Sequence, residues 1–255
     1  MLPSVRLFGI TISMYWVCGF AALVLGGVFA FAMRRRFGIK AWDLTQVLAL
    51  VVIGAFGGAK LFHVLGGIIQ HGGEPGFWTL ENWRELLGPM GVFYGGLLCS
   101  LGLVVLFAKW QKIPLGNLMD LMAYFAPAFG AVARFSCLCA GCCYGIEVSH
   151  MFTVPDTIYA VPRLPSPLLE TGLNLLILLA FLLWKPERKR PGAVLPLYLL
   201  LYSAGRFVLE FFRGDAIRGV YILSTSQWIA AAIILSAGFV LYRNRNRKAQ
   251  QSAAR

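Results

Sequence analysis

Long apolar runs separated by short basic clusters set the pattern of this chain. The runs cover residues 13–33, 44–69, 92–108, 118–138, 167–184, 193–212 and 225–242, and none alternates with a period of two. Crossing a hydrocarbon core takes about 20 residues of helix. Only helices and closed barrels satisfy their backbone groups there, and unbroken apolar runs select helices. The pattern predicts an all-α polytopic membrane protein with about seven transmembrane helices, the whole of 1–255 forming a single integral membrane domain. Two outer loops interrupt it, at 70–91 and 141–165, and the first has the composition of a short interfacial helix over 80–87.

Composition supports that class. Of the 255 residues 58% are hydrophobic and 13% charged, and mean hydropathy is +0.71, too greasy for a soluble domain. A formal charge of +12 would suggest nucleic acid in a soluble chain, but its distribution excludes that partner. The basic groups at 34–40, 109–112, 185–190 and 243–248 all fall on one side of a seven-helix path. The bias toward positive cytoplasmic loops then places the N-terminus outside and the C-terminus in the cytoplasm. Arg34, Arg35 and Arg36 follow the first run instead of preceding it, as expected for a retained span.

Charge inside the runs is the chemical signal, because ionisable groups at membrane depth are costly and mark function by default. Counted from their cytoplasmic starts, Lys60, Arg134 and Arg206 each lie about 21 Å into a core of roughly 30 Å. Glu210 sits one turn above Arg206, Glu170 falls near the same level, and Tyr94 and Tyr202 belong to the same layer. Two plainer readings stand beside this one. Lys60 can snorkel to the interface, and Arg206 with Glu210 can be a helix-locking i,i+4 pair. A ring of cations around one cavity would instead suit an anionic lipid headgroup, since guanidinium groups match phosphate oxygens. Gly95-Gly96, Gly57-Gly58 and Gly66-Gly67 allow close helix approach, and Gly95 and Gly96 also leave room for a headgroup.

The segment 130–145, GAVARFSCLCAGCCYG, adds four cysteines to Arg134. Cys137, Cys142 and Cys143, with Cys139, permit a soft-metal site with His150 as the other ligand type nearby. Vicinal Cys142 and Cys143 do not easily both chelate one ion, and the favoured reading is a disulfide from Cys137 to Cys142 or Cys143, with a nucleophilic thiol activated by the arginine as another. Cys18 and Cys99 read as packing residues. No cofactor and no resident metal are expected. A transporter would show matched inverted repeats, and none is visible.

Several segments together resemble the prolipoprotein diacylglyceryl transferase family. They are GGAKLFHVL at 57–65, FYGGLL at 93–98, Asp120 opening a helix, Arg134 heading the signature, SPLLE at 166–170, GAVLPLYLLLYSAGRFVLEFFRGD at 192–215, and Gln227. The resemblance implies a seven-span enzyme of the bacterial cell inner membrane. Such an enzyme moves the diacylglyceryl group of phosphatidylglycerol onto the lipobox cysteine of a preprolipoprotein. It implies that Arg134 and Arg206 clamp the phosphate, assisted by Lys60, Arg213 and Tyr202, with Tyr94 and Glu210 at the reacting centre. The departures are local. Tyr94 replaces the family's histidine and Lys60 its arginine. Cys137, Ala140 and Cys142 stand where the signature carries asparagine, asparagine and glutamate. These departures suggest a cysteine-containing paralogue, and they leave open a different acceptor or a lipid-binding protein without activity.

Overall fold

The computed structural model describes residues 4–7, 10–73, 77–88, 91–148, 154–155, 161–189, 192–214 and 222–253. His150, named above as a possible ligand, lies outside them. A short antiparallel hairpin, β1 (Ser4–Leu7) and β2 (Ile10–Ser13), leads into α1 (Met14–Met33). Helices α2 (Ala41–His71), α3 (Leu80–Leu86), α4 (Phe93–Trp110) and α5 (Leu115–Ala140) follow. A two-residue ladder, β3 (Val154–Pro155) with β4 (Pro162–Arg163), precedes α6 (Ser166–Trp184). The chain ends with α7 (Pro186–Lys189), α8 (Val194–Leu209) and α9 (Thr225–Ala253).

Among the described residues six helices are long and apolar enough to cross a membrane: α1, α2, α5, α6, α8 with its 3-10 extension to Phe212, and α9 over Thr225–Asn246. The expected third span, α4, is apolar but shorter, at 18 residues. That is about 27 Å of helix. The fold is thus helical and polytopic, and its few strand residues lie outside the long helices. Large apolar side chains point outward, Leu183 at 76% and Leu235 at 75% exposed, as lipid-facing surface requires. Trp42, Trp110, Trp184 and Trp228 are exposed near helix ends, where amphipathic rings suit the headgroup level.

The chain divides into two compact units, residues 34–118 and residues 1–33 with 119–255. In the first, α2 and α4 press together through small residues. A Cβ on Gly58 would lie 2.6 Å from the Gly95 carbonyl oxygen, and one on Gly96 2.5 Å from that of Ala55. Ser100 seals the contact by donating to the Val51 carbonyl at 2.9 Å. Gly57 and Gly66, by contrast, face open space.

In the second unit three helices carry polar stripes at helical spacing. On α5 these are Asp120, Tyr124, Pro127, Ala131 and Arg134, the first four buried. The buried face of α6 is Ser166, Pro167, Glu170, Thr171, Asn174, Ile177 and Phe181. Along α8 every fourth residue, Val194, Tyr198, Tyr202, Arg206 and then Glu210, shares one side. Asp120 fixes α8 at its start. Its carboxylate, 1% exposed, accepts from the amides of Gly192 at 2.5 Å and Val194 at 2.9 Å, the second a donor that the N-terminus of α8 leaves unpaired. Gln227 fixes α9. It accepts from the Ser224 amide at 2.9 Å while Ser224 Oγ accepts from the Gln227 amide at 3.2 Å, a capping box.

Candidate functional site

The three stripes converge on Glu170. Five residues into α6, on its buried face, it is 1% exposed. Its Oε2 lies 2.7 Å from Arg134 Nη2, and its Oε1 3.4 Å from Arg206 Nη1 and 4.0 Å from Arg213 Nη1. Glu210, 2% exposed, holds Arg206 Nη2 at 2.8 Å and Arg213 Nε at 4.0 Å. Tyr202 joins the group, donating to Glu170 Oε2 and accepting from Arg134 Nη2, both at 3.5 Å.

Support lies behind the charges. Tyr198 stacks on Tyr202 with centroids 5.7 Å apart and donates to Asn174 Oδ1 at 3.4 Å. Asn174 in turn donates to the Glu170 carbonyl at 2.9 Å. Gly130 lets α5 meet this layer, because a Cβ there would sit 3.1 Å from Asn174 Oδ1. Gly205 does the same between α8 and Leu173 of α6.

Three guanidinium groups against two carboxylates leave one net positive charge in a largely buried cluster. Exposure is graded: the side chains of Arg213, Arg206 and Arg134 are 9%, 13% and 26% exposed. Arg134 is therefore the arginine most open to an incoming group. The arrangement holds guanidinium donors in place and favours an anion that completes their charge.

A backbone seam ties the cluster to the loop after α5. The Gly145 amide donates to the Leu164 carbonyl at 2.9 Å, Ile146 to Phe212 at 3.0 Å, and Gly214 to Tyr144 at 3.1 Å. Gly145 and Arg213 form an isolated bridge. A Cβ on Gly214 would fall 2.4 Å from the Gly145 carbonyl oxygen, so glycine is required there. Arg163 lies over the Tyr144 ring at 4.5 Å and pairs with Glu147 at 3.0 Å.

The end of α5 turns the cysteines back on the helix. Gly141, at φ 71°, donates to the Leu138 carbonyl at 3.3 Å, and the Cys142 amide to that of Cys137 at 3.1 Å. Those two bonds are a Schellman motif. Cys143 also has positive φ, 60°, a conformation costing a side-chain-bearing residue about 1–2 kcal/mol. All six cysteines are free thiols. Hydrogen bonds from Cys137 and Cys142 push the Cys143 thiol well below its ordinary range, with Arg213 and Arg134 acting in the same direction. The same bonding pushes Cys142 up.

The structure thus brings together Arg134, Arg206, Arg213, Tyr202 and Glu210, with Cys137, Cys142 and Cys143 alongside. Lys60, Tyr94, Gly95 and Gly96 belong to the other unit. Lys60 donates to the carbonyls of Leu86, at 3.3 Å, and Gly88, which anchors the end of α3. Gly95 and Gly96 pack against α2, and Tyr94 is 45% exposed. Glu170, placed by sequence only near the layer, is its centre. The available signal was a carboxylate on one helical face with Ser166, Thr171 and Asn174, within an otherwise apolar run.

These features define a polytopic membrane protein with a buried, arginine-rich ion network. Over residues 3–243 the chain matches the prolipoprotein diacylglyceryl transferase family, and it belongs to that family. It is similar to a phosphatidylglycerol–prolipoprotein diacylglyceryl transferase of Clostridium tetani, 28% identical over 95% of this chain and 97% of the relative. A second enzyme of that name, from Clostridium perfringens, is 34% identical over 72% of this chain and 76% of the relative. One from Bordetella parapertussis is 28% identical over 90% and 89%.

Proposed function

We propose that this protein transfers the diacylglyceryl group of phosphatidylglycerol to a thiol, the lipobox cysteine of a preprolipoprotein. The observation that carries this reading is the cluster of Arg134, Arg206 and Arg213 around Glu170 and Glu210, one positive charge in excess. A phosphodiester carries the single negative charge that balances it. The acceptor thiolate forms a carbon–sulfur bond at the glyceryl carbon, and the bond from that carbon to the phosphate oxygen breaks. The electron pair leaves with glycerol phosphate, whose charge rises from one to two. Guanidinium groups held in place before the reaction favour that added charge.

In this reading Arg134 and Arg206 clamp the phosphate, Arg213 adds to the positive field, and Tyr202 orients Arg134. Glu210 holds Arg206 in position. Tyr94 orients the acceptor or exchanges its proton, while Gly95 and Gly96 let α4 pack closely on α2. The enzyme sits in the bacterial inner membrane as one integral domain. Counting α4 as a span gives seven crossings, N-terminus outside and C-terminus in the cytoplasm. The four basic clusters then share one side, which supports that count.

A second reading rests on Cys137, Cys142 and Cys143 beside the arginines: a cysteine-bearing paralogue that uses the same lipid with a different acceptor. Purified protein given glyceryl-labelled phosphatidylglycerol and a lipobox peptide tests the first reading. Label on the peptide thiol is expected. Lipid bound without label on the peptide would contradict it and leave the paralogue or a binding protein.

A further inference from the structure

The thiols of Cys137, Cys142 and Cys143 are not needed for transfer when the acceptor supplies the nucleophile, yet the fold gathers them. Their Sγ atoms all lie within 4.8 Å of one another. The gathering is local and built. The Schellman turn at Gly141 brings Cys142 back over Cys137, its Sγ 3.6 Å from the Cys137 carbonyl. Left-handed backbone at Cys143 turns the third thiol to the same point. Cys139, on the same turn of α5, takes no part and instead meets Cys18 of α1.

We infer that these three thiols form a binding site for a soft, thiophilic d10 cation of the monovalent copper class. With metal–sulfur bonds of about 2.3 Å, a trigonal site puts its sulfurs about 4.0 Å apart, so the thiols need close by less than about 1 Å. Thiolate ligands select soft ions. Zinc in structural sites takes a fourth ligand beyond three such thiols, and the comparison of Zn²⁺ with cuprous ion below separates the two. Three thiolates around a monovalent ion carry two net negative charges. Arg213 and Arg134 lie within electrostatic reach of Cys143 and favour such an anionic complex. Uptake displaces thiol protons and moves no electrons.

The test uses the full chain in detergent, reduced and kept under argon, with cuprous ion offered from a colorimetric bidentate chelator. One ion per chain is expected to transfer. Loading is expected to protect Cys137, Cys142 and Cys143 from maleimide, read by peptide mass spectrometry on the unaltered protein. Cys137→Ser, Cys142→Ser and Cys143→Ser are each expected to weaken binding by about tenfold or more, and the double variant Cys18→Ser/Cys139→Ser to leave it unchanged. Four results overturn the inference: no transfer from the chelator, protection that spares these three thiols, tighter binding of Zn²⁺ than of cuprous ion, or a disulfide among the three that persists after reduction.

Discussion

Replacing Glu170 by glutamine keeps the shape of the side chain and removes the charge on which the network turns. The carboxylate stands 2.7 Å from Arg134, 3.4 Å from Arg206 and 4.0 Å from Arg213. Without it, three guanidinium groups face Glu210 alone. Breaking a buried pair from one side costs about 3–5 kcal/mol. Arg134, at 26% exposure, lets water compensate part of that loss, so about 3 kcal/mol is expected. For a chain of this length that corresponds to a fall in Tm of roughly 6–12 °C. The assay is thermal unfolding of the detergent-solubilised protein, with Glu147→Gln as comparison. Glu147 pairs with Arg163 but is 60% exposed, and such a pair is worth about 0–1 kcal/mol. Phosphatidylglycerol in the micelle should restore part of the loss in Glu170→Gln, because its phosphate replaces the missing charge, whereas phosphatidylcholine should do so less. A Tm within about 2 °C of the unaltered protein, with no response to phosphatidylglycerol, would refute the reasoning.

The remaining expectations concern packing, capping and the thiols. Gly58→Ala should destabilise by about 1–3 kcal/mol through its clash with Gly95. Gly57→Ala, which meets nothing within 4 Å, should be neutral or stabilising by up to about 1 kcal/mol; equal unfolding midpoints would contradict the α2–α4 packing. Asp120→Ala should cost about 1–2 kcal/mol by uncapping α8, measured by chemical denaturation, with Asp120→Asn losing less. Because Cys143 is shifted down and Cys142 up, iodoacetamide should label Cys143 ahead of Cys142 at pH 6, with Cys142 gaining only as pH rises. The reverse order would contradict the hydrogen-bonded thiol arrangement.

Much of this was legible in the chain because a membrane simplifies the reading. Apolar length placed the six long helices, and the composition of the outer loop placed the short α3. The shared layer of Arg134, Arg206, Tyr202 and Glu210 followed from counting residues at a fixed rise per residue. Counting cannot give azimuth, however. It gave Lys60 a depth but not the bonds its ammonium makes to the Leu86 and Gly88 carbonyls at the end of α3. It left Glu170 at the margin, although the face of α6 that it occupies makes it the hub. Nor did hydropathy reveal the seam from Tyr144 to Ile146, which depends on backbone hydrogen bonds and on Gly214, whose need is visible only when its neighbours are in place. The Schellman turn was half legible. Gly141 is an ordinary helix stop, but that the turn would stack three thiols required coordinates.

If the arginine cluster carries the transfer of lipid to a thiol, the transfer must fail when its arginines are removed. The most direct measurement is the initial rate of label transfer from phosphatidylglycerol to a lipobox peptide, compared between the unaltered protein, Arg134→Ala, Arg206→Ala and Glu147→Gln. The two arginine variants should lose about a hundredfold or more in rate while Glu147→Gln keeps its activity. Transfer that persists at full rate in Arg134→Ala and Arg206→Ala would contradict the central claim.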